Sequence, residues 1–118
     1  KSPESLEFRS VRATTLGQKG SWLWLKGKDA TESCRAAVED ATMVLKARPD
    51  DVGALATRSN ANITLLNQGV KRRESPKEEA RSALADTERL KELQPEREGA
   101  YQTTIDQLTK WLKDQEKP

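Results

Sequence analysis

The sequence has no histidine, one cysteine and only five aromatic residues among its 118 positions. Without histidine, the commonest general base and metal ligand is missing. A single cysteine can form neither an internal disulfide nor an ordinary zinc site. No glycine-rich loop follows a predicted strand to hold a phosphate group, and no hydroxyl or amine stands out as an activated nucleophile. These absences predict a protein that is not an enzyme, holds no metal or cofactor and acts on no small-molecule substrate.

An excess of one charge is also absent, since 21 basic and 19 acidic residues leave a net charge of +2. This near balance is unlike the concentrated positive charge of nucleic-acid-binding domains, so we expect no nucleic-acid partner. No apolar run approaches the roughly 20 residues of a membrane span, and there is no signal-peptide pattern. We therefore expect a cytoplasmic domain. Because the sequence begins at Lys1 without methionine, we expect it to be cut from a longer protein, whose other segments could tether it to a membrane.

Apolar residues and charged residues each make up 34% of the chain, so the hydrophobic core must be thin. This composition suits a single domain, residues 1–118, in which helices pack in pairs with small side chains between them. Cys34 lies on an apolar stripe at helical spacing, and we expect it to be a buried free thiol that acts as a small hydrophobic side chain.

The most informative feature is an internal repeat with a constant offset of 46 residues. Residues 35–55 and 81–101 both read Arg-x-Ala-x-x-Asp, then two turns rich in apolar residues, then Pro-x-x-x-Gly-Ala. A helix, a proline-marked corner and a second helix, used twice, are typical of a stacked helical repeat. The identical pairs are Arg35/Arg81, Ala37/Ala83, Asp40/Asp86, Pro49/Pro95, Gly53/Gly99 and Ala54/Ala100.

Capping signals mark the first helix pair. Ser2 and Pro3 have the types expected at the start of a helix, and residues 29–32 have the spacing of a capping box before the second helix. Residues 21–25 alternate somewhat between polar and apolar side chains, so a short strand there is the alternative to the end of the first helix.

Similar signals mark the rest of the chain. Asp50 or Asp51 is expected to cap the third helix, which Gly69 ends, and residues 75–78 are expected to start the fourth. Pro95 marks the corner before the fifth. The apolar positions fall on single faces of these helices. Those of the second helix are Cys34, Ala37, Val38, Ala41, Val44 and Leu45, and those of the fifth are Tyr101, Ile105, Leu108, Trp111 and Leu112.

The predicted fold is therefore all-α, with about five antiparallel helices. A first helix pair covers about residues 3–47, a second pair about residues 50–94, and a capping helix about residues 96–114. An ordinary five-helix bundle is the structural alternative.

At these positions the chain resembles the tetratricopeptide repeat family. Ala37, Leu45 and Pro49 occupy the places of the small residue, the apolar residue and the terminal proline in the second helix of that repeat, as Ala83, Leu90 and Pro95 do one copy later. Gly20 and Gly27 match the small residues in and after a first helix. The resemblance covers about residues 8–113 and implies helix pairs stacked into a superhelix with a concave groove. The family period is about 34 residues, so the offset of 46 implies lengthened connectors, chiefly at residues 68–77.

The resemblance implies a non-catalytic protein-interaction module that binds a protein or peptide segment in this groove. The family's clamp for a C-terminal carboxylate is not expected, because the last helix offers Thr103, Thr104 and Gln107 where basic residues would be needed. Polar residues in the middle of the groove-lining helices, together with one tryptophan off the main apolar stripe, form the predicted protein-binding site. They are Trp22, Thr57, Asn60, Asn62, Thr64, Gln102 and Asp106.

Two other functions remain open at this stage. The chain could be a structural or self-assembly domain of a membrane-attached secretion or polymer-export complex, docking through its outer or end surfaces. A weak nucleic-acid contact through Lys26, Lys28 and residues 71–73 is the third candidate, and the steep salt dependence of phosphate binding would reveal it.

Overall fold

The computed structural model describes residues 5–117, and these form five α-helices and one short 3-10 helix. The helices are α1 (Leu6–Leu25), α2 (Thr31–Ala47), α3 (Val52–Lys71), α4 (Lys77–Leu93) and α5 (Glu98–Asp114), with the 3-10 helix Pro95–Arg97 before α5. The predicted all-α fold is confirmed. The alternative strand at residues 21–25 is wrong: this segment is the last part of α1, because Leu23 and Trp24 pack at helical spacing against the cluster around Cys34.

The offset of 46 residues holds for whole helices. Adding 46 to the bounds of α1 and α2 gives the bounds of α3 and α4, residue for residue. The helix α5 begins at Glu98, which is 46 residues after the first residue of α3. The backbone therefore repeats more regularly than the side chains do.

The two proline corners have equivalent settings, as predicted. The residues before the prolines, Arg48 and Gln94, have φ/ψ angles of −133°/79° and −130°/69°. Each donates its backbone N–H over 2.8 Å to the carbonyl four residues earlier. The carbonyls of Arg48 and Gln94 themselves accept from the backbone N–H three residues later, at 3.1 Å and 2.9 Å. The corners differ only after this point, where Pro95 opens a 3-10 helix.

The connectors within the pairs are short, so the expected lengthened connector is wrong. Residues 26–30 and 72–76 each make the same turn, in which Gly27 and Arg73 take positive φ angles of 72° and 62°. A positive φ is uncommon for residues other than glycine. The helix α3 runs past Gly69 to Lys71, and the extra length of the repeat therefore lies in the helices.

The starts of α1 and α3 are capped by equivalent residues. Ser5 accepts a hydrogen bond from the Phe8 backbone N–H at 3.1 Å, and Asp51 accepts one from Ala54 at 3.0 Å. The Asp51 cap confirms one of the two predicted residues. The predicted start at Ser2 and Pro3 lies outside the described residues.

The starts of α2 and α4 do not have the predicted caps. Asp29 accepts from the backbone N–H of Thr31, two residues on, so no capping box with Glu32 forms. Helix α4 begins at Lys77 without a side-chain cap, and the Ser75 hydroxyl points instead to Gln115 at the end of α5. At α2 a shorter local contact replaces the predicted capping box, and at α4 the predicted cap residue turns to another helix.

The core consists of three apolar clusters along the helix pairs. The stripe predicted for α2 is buried, with Val38 half-buried, and Cys34 is a fully buried free thiol, as expected. Burial raises the pKa of this thiol. Gly20 of α1 faces the Cys34 sulfur so closely that no Cβ would fit between them.

Each helix packs against the next one, and α1 also packs against α3. The equivalent contact between α3 and α5 is missing. Among residues 5–117, no Cα atom of α3 lies within 8 Å of one of α5. The last helix therefore packs mainly on α4. Its Leu108 shares a core cluster with Leu66 of α3, and a groove remains between these two helices.

Candidate binding groove

A groove of about 570 Å³ lies between α3 and α5. Its walls are mostly apolar, and a tryptophan from each of α1 and α5 stands at its edge. The lining side chains are Trp24, Ile63, Leu66, Asn67, Val70, Lys71, Thr104, Gln107, Leu108 and Trp111. We call this space the α3–α5 groove. Its apolar lining and a few polar groups are typical of a surface that receives another molecule.

The groove continues toward the proline corners. A further space of about 290 Å³ shares Ile63 and Thr104 with it and runs between α3 and α5 above α4. Tyr101 and Arg97 stand at its far end. A separate cleft of about 410 Å³ lies between α1 and α3 and includes Trp22 and Asn60. The concave side is thus one surface formed by α1, α3 and α5.

Equivalent positions of α1 and α3 carry a glycine and an isoleucine, and the helices are closer together at the glycine than at the isoleucine. Gly17 of α1 faces α3, and a Cβ on it would lie 3.4 Å from the methyl carbon of Thr57. This lets α1 and α3 lie close. Ile63 occupies the equivalent position of α3, 46 residues later, and its branched side chain lines the groove toward α5. A large side chain at this position is consistent with the greater separation of α3 and α5.

Positive charge collects at one end of the groove. The Lys71 ammonium nitrogen lies 5.6 Å from the centre of the Trp24 ring, a distance suitable for a cation–π contact. Arg72 follows and forms an ion pair with Asp29 at 3.3 Å. The hydroxyl and backbone N–H of Thr31, helped by Arg72, lower the pKa of Asp29 to about 2. Lys71 has no such acidic neighbour among the ion pairs of residues 5–117, so the groove is open to a negative group here.

Each helix pair is held by a buried arginine–aspartate contact. Arg12 donates to both oxygens of Asp40 at 2.6 Å and 2.8 Å, and Arg58 donates to both oxygens of Asp86 at 2.8 Å and 2.7 Å. Both carboxylates are 3% exposed. The Arg12 hydrogen bond holds the pKa of Asp40 below its usual range. Arg58 therefore acts inside the helix pair and not in the groove.

Helix α5 has no arginine at the equivalent position. Thr104 stands there, 46 residues after Arg58, and it faces the groove. No further helix follows α5 within residues 5–117, so among these residues an arginine there would have no equivalent aspartate.

Three of the predicted site residues come together. Trp22, Thr57 and Asn60 line the cleft between α1 and α3. Trp22 and Asn60 are exposed, and Thr57 is half-buried. Asn60 also reaches the second part of the α3–α5 groove, where it joins the two spaces.

Asn62 and Thr64 are not at a solvent-facing surface. They are 4% and 7% exposed. The Asn62 amide donates to the Ser82 hydroxyl of α4 at 3.1 Å, and the Thr64 hydroxyl donates to the Asn60 carbonyl at 3.1 Å. Ser82 and the backbone satisfy these two side chains inside the helix packing. In this conformation they are therefore not available to a partner.

Gln102 and Asp106 lie away from the α3–α5 groove. The Gln102 carbonyl oxygen accepts from the Lys91 ammonium at 2.6 Å, and its amide donates to Asp106 at 2.8 Å. Gln102 therefore lines a crease between α4 and α5 with Glu88 and Glu92. The reason is the rotation of α5, which turns Thr104, Leu108 and Trp111 toward α3 instead.

Sequence analysis predicted a concave groove but did not place Trp24 or Trp111 in it. Both side chains pack against core clusters and also stand half-buried at the groove edge. A signal was present: Ile63, Leu66 and Val70 on α3 recur at steps of three and four, as Thr104, Leu108 and Trp111 do on α5. Periodicity cannot distinguish a stripe that meets another helix from one that faces a gap.

Comparison with protein-family models, with characterised proteins and with solved structures finds no match to this chain. Within residues 5–117, no helix combines the length and the apolar character needed to cross a bilayer. The same residues contain no group of three or more histidine, cysteine, aspartate or glutamate side chains that could hold a metal ion.

Proposed function

We propose that this protein is a non-catalytic protein-interaction module of tetratricopeptide type, and that it binds a segment of a partner protein in the α3–α5 groove. The observation that carries the proposal is the separation of α3 and α5, which leaves apolar side chains of both helices facing a shared open space.

The shape of the groove favours an amphipathic helix or an extended segment. Helix α3 has 20 residues and is about 30 Å long, from a rise of 1.5 Å per residue. Apolar positions recur along it at Ile63, Leu66 and Val70. A partner helix that presents apolar residues at steps of three and four would match this row. The Lys71 end would favour a partner with an acidic residue beyond its apolar anchors.

The repeat supports the tetratricopeptide assignment within this proposal. The two proline corners are equivalent, small side chains lie in the second helix of each pair, and the first helix of each pair faces the concave side. Asn60 would then contact the partner where the neighbouring cleft meets the second part of the groove. A reducing compartment such as the cytoplasm suits the buried free thiol of Cys34.

A blocking substitution tests the groove. Peptides selected from a phage-displayed library on the wild-type protein would be measured against Thr104→Trp, which places a large side chain where both parts of the groove meet. We expect at least about a tenfold rise in Kd. Thr109→Trp, on the exposed side of α5, is the matched control and should bind normally. Equal binding by all three proteins would refute the groove proposal.

A further inference from the structure

The outer face of α1 carries four large apolar side chains that nothing in residues 5–117 covers. Phe8, Val11, Trp22 and Leu25 are 52%, 67%, 52% and 80% exposed. They fall at steps of three and four when the exposed Thr15 and Gln18 between them are included, so they form one stripe along the helix. The stripe lies opposite Leu16, Gly20 and Leu23, which face α2.

The repeat shows what covers the equivalent face of α3. Its residues Ala54, Ala61, Leu65 and Gln68 are buried against the preceding helix pair. The Gln68 side chain accepts from the Ala30 backbone N–H at 2.8 Å and donates to the Thr31 hydroxyl at 2.5 Å.

The outer face of α1 is not built for the same contact. Trp22 stands at the position of Gln68 and offers no amide to cap a neighbouring helix. Lys19 stands at the position of Leu65, which is a core residue in the second pair. A charged ammonium group in the middle of such an interface would be costly to bury. The occupant of this face is therefore chemically different from another second helix of the repeat.

Positive charge flanks the stripe. The Arg12 guanidinium lies 5.0 Å from the centre of the Phe8 ring, and the ammonium groups of Lys26 and Lys28 lie 5.9 Å and 5.7 Å from the Trp22 ring. Among the described residues no ion pair involves Lys19, Lys26 or Lys28.

Negative charge is scarce on the same face. The only acidic residue of α1 is Glu7, and Arg48 neutralises it at 2.9 Å. The Trp22 end of the stripe thus has unneutralised lysines beside it, and α1 offers no free carboxylate to the stripe.

We propose that the outer face of α1 docks on an anionic lipid surface. Phe8, Val11, Trp22 and Leu25 would enter the boundary between headgroups and acyl chains, while the lysines contact anionic headgroups. Tryptophan and lysine both suit this boundary, because each combines an apolar body with a polar end. The stripe spans about 26 Å at 1.5 Å per residue, so α1 would lie along the surface and would not cross it. The α3–α5 groove lies on other helix faces and would stay open to a partner.

Vesicle co-sedimentation of the full chain tests the proposal. We expect binding to vesicles of phosphatidylcholine with 30% phosphatidylserine, and much weaker binding to pure phosphatidylcholine. Trp22→Ala with Leu25→Ala should lower the partition coefficient at least about tenfold. Lys26→Gln with Lys28→Gln should lower it about thirtyfold on anionic vesicles, from about 1 kcal/mol per basic residue near the surface. Because all four side chains are exposed, circular dichroism should show unchanged helix content.

The controls separate a lipid surface from other occupants. Met43→Ser removes an exposed apolar side chain from α2 and should leave vesicle binding unchanged. In a chain with Trp24→Phe and Trp111→Phe, brominated lipids should quench the remaining Trp22 fluorescence. Absence of vesicle binding, or equal binding by the Trp22/Leu25 variant, would overturn the proposal. So would light scattering that shows a dimer abolished by the same variant, because the face would then belong to a second copy of the chain.

Discussion

The two helix pairs have the same backbone and different interiors. Where the first pair has Ala13 and Ala41, the second has Ser59 and Thr87. The Ser59 hydroxyl lies 3.0 Å from that of Thr87, which itself donates to the Ala83 carbonyl at 2.7 Å. A purely apolar contact in one pair is thus a hydrogen-bonded contact in the other. In the second pair the two hydroxyls thus satisfy each other and the backbone, so that neither is buried without a partner.

Side-chain volume also changes in a compensated way. Gly20 leaves room for the Cys34 sulfur in the first pair, whereas Leu66 and Ala80 take these positions in the second. One large and one small side chain fill the space in either case. The comparison shows that helix bounds and corners can repeat while the packing between the helices is solved separately in each pair.

The arginine–aspartate contact is common to both pairs, and removing it should have the largest effect. Asp86→Ala should lower the free energy of unfolding by about 3 kcal/mol, because it leaves the Arg58 guanidinium without its buried partner. Asp40→Ala should cost less, about 2 kcal/mol, because Arg12 is more exposed and its side chain can turn to water. Urea denaturation measures both. Equal losses would show that exposure of the arginine does not decide the cost.

Adding one methyl group at Gly20 should disturb the packing of this glycine against Cys34. Gly20→Ala should destabilise the fold by about 2 kcal/mol, since its Cβ would overlap the Cys34 sulfur, and this outweighs a gain of up to about 1 kcal/mol in helix propensity. Adding Cys34→Ala should restore most of the loss, because alanine is the residue of the second pair at this position. Thermal unfolding of the two variants tests this. A stable single variant would show that the helices separate easily.

The hydrogen bond between Asn62 and Ser82 in the second pair should be replaceable by the apolar residues found at the equivalent positions of the first pair. Ser82→Ala alone leaves the Asn62 amide without its partner and should cost about 1 kcal/mol. Adding Asn62→Leu gives the pair of residue types found at positions 16 and 36, and stability should return to within about 0.5 kcal/mol of the wild type. A double-mutant cycle by urea denaturation measures the coupling. Additive losses would mean that the two side chains do not act together.

The smallest expected effect is the pH dependence of the first pair. Because Arg12 lowers the pKa of Asp40 in the folded protein, this carboxylate adds stability above the unfolded value of about 3.9. The contribution is lost as the pH falls through the lower, folded pKa. Asp40→Asn should therefore flatten the decline in melting temperature between about pH 5 and pH 2 relative to the wild type. An unchanged decline would assign the acid sensitivity to other carboxylates.

Sequence reasoning worked best where local chemistry repeats. The prolines after α2 and α4, the apolar stripe of α2 and the cap at Asp51 were predictable, since backbone geometry and amphipathicity act over a few residues. Gly69 misled, because its lack of a side chain serves a close approach to Pro76, where an added Cβ would lie 2.8 Å from the ring, and not the end of the helix. The αL position falls on Arg73 instead.

The binding site was less predictable, because the burial of a side chain depends on which residues of other helices pack against it. Asn62 and Thr64 read as groove residues since asparagine and threonine are poor helix formers, yet hydrogen bonds inside the helix packing satisfy them. Trp24 and Trp111 do pack against core clusters, but their further position at the groove edge was not predicted. Gln102 and Asp106 were on the predicted polar face of α5, whose rotation only the packing on α4 sets.

The sequence by itself determined an all-α chain with a period of 46 residues, because helix periodicity, prolines and small residues impose their geometry over a few neighbours. Only the tertiary structure decided that no Cα atom of α3 lies within 8 Å of α5, and that none of residues 5–117 covers the outer face of α1. Both depend on which side chains meet across helices far apart in the chain. Gly17 and Ile63 occupy equivalent positions of the repeat, yet α1 packs closely on α3 at Gly17, whereas Ile63 lines an open groove.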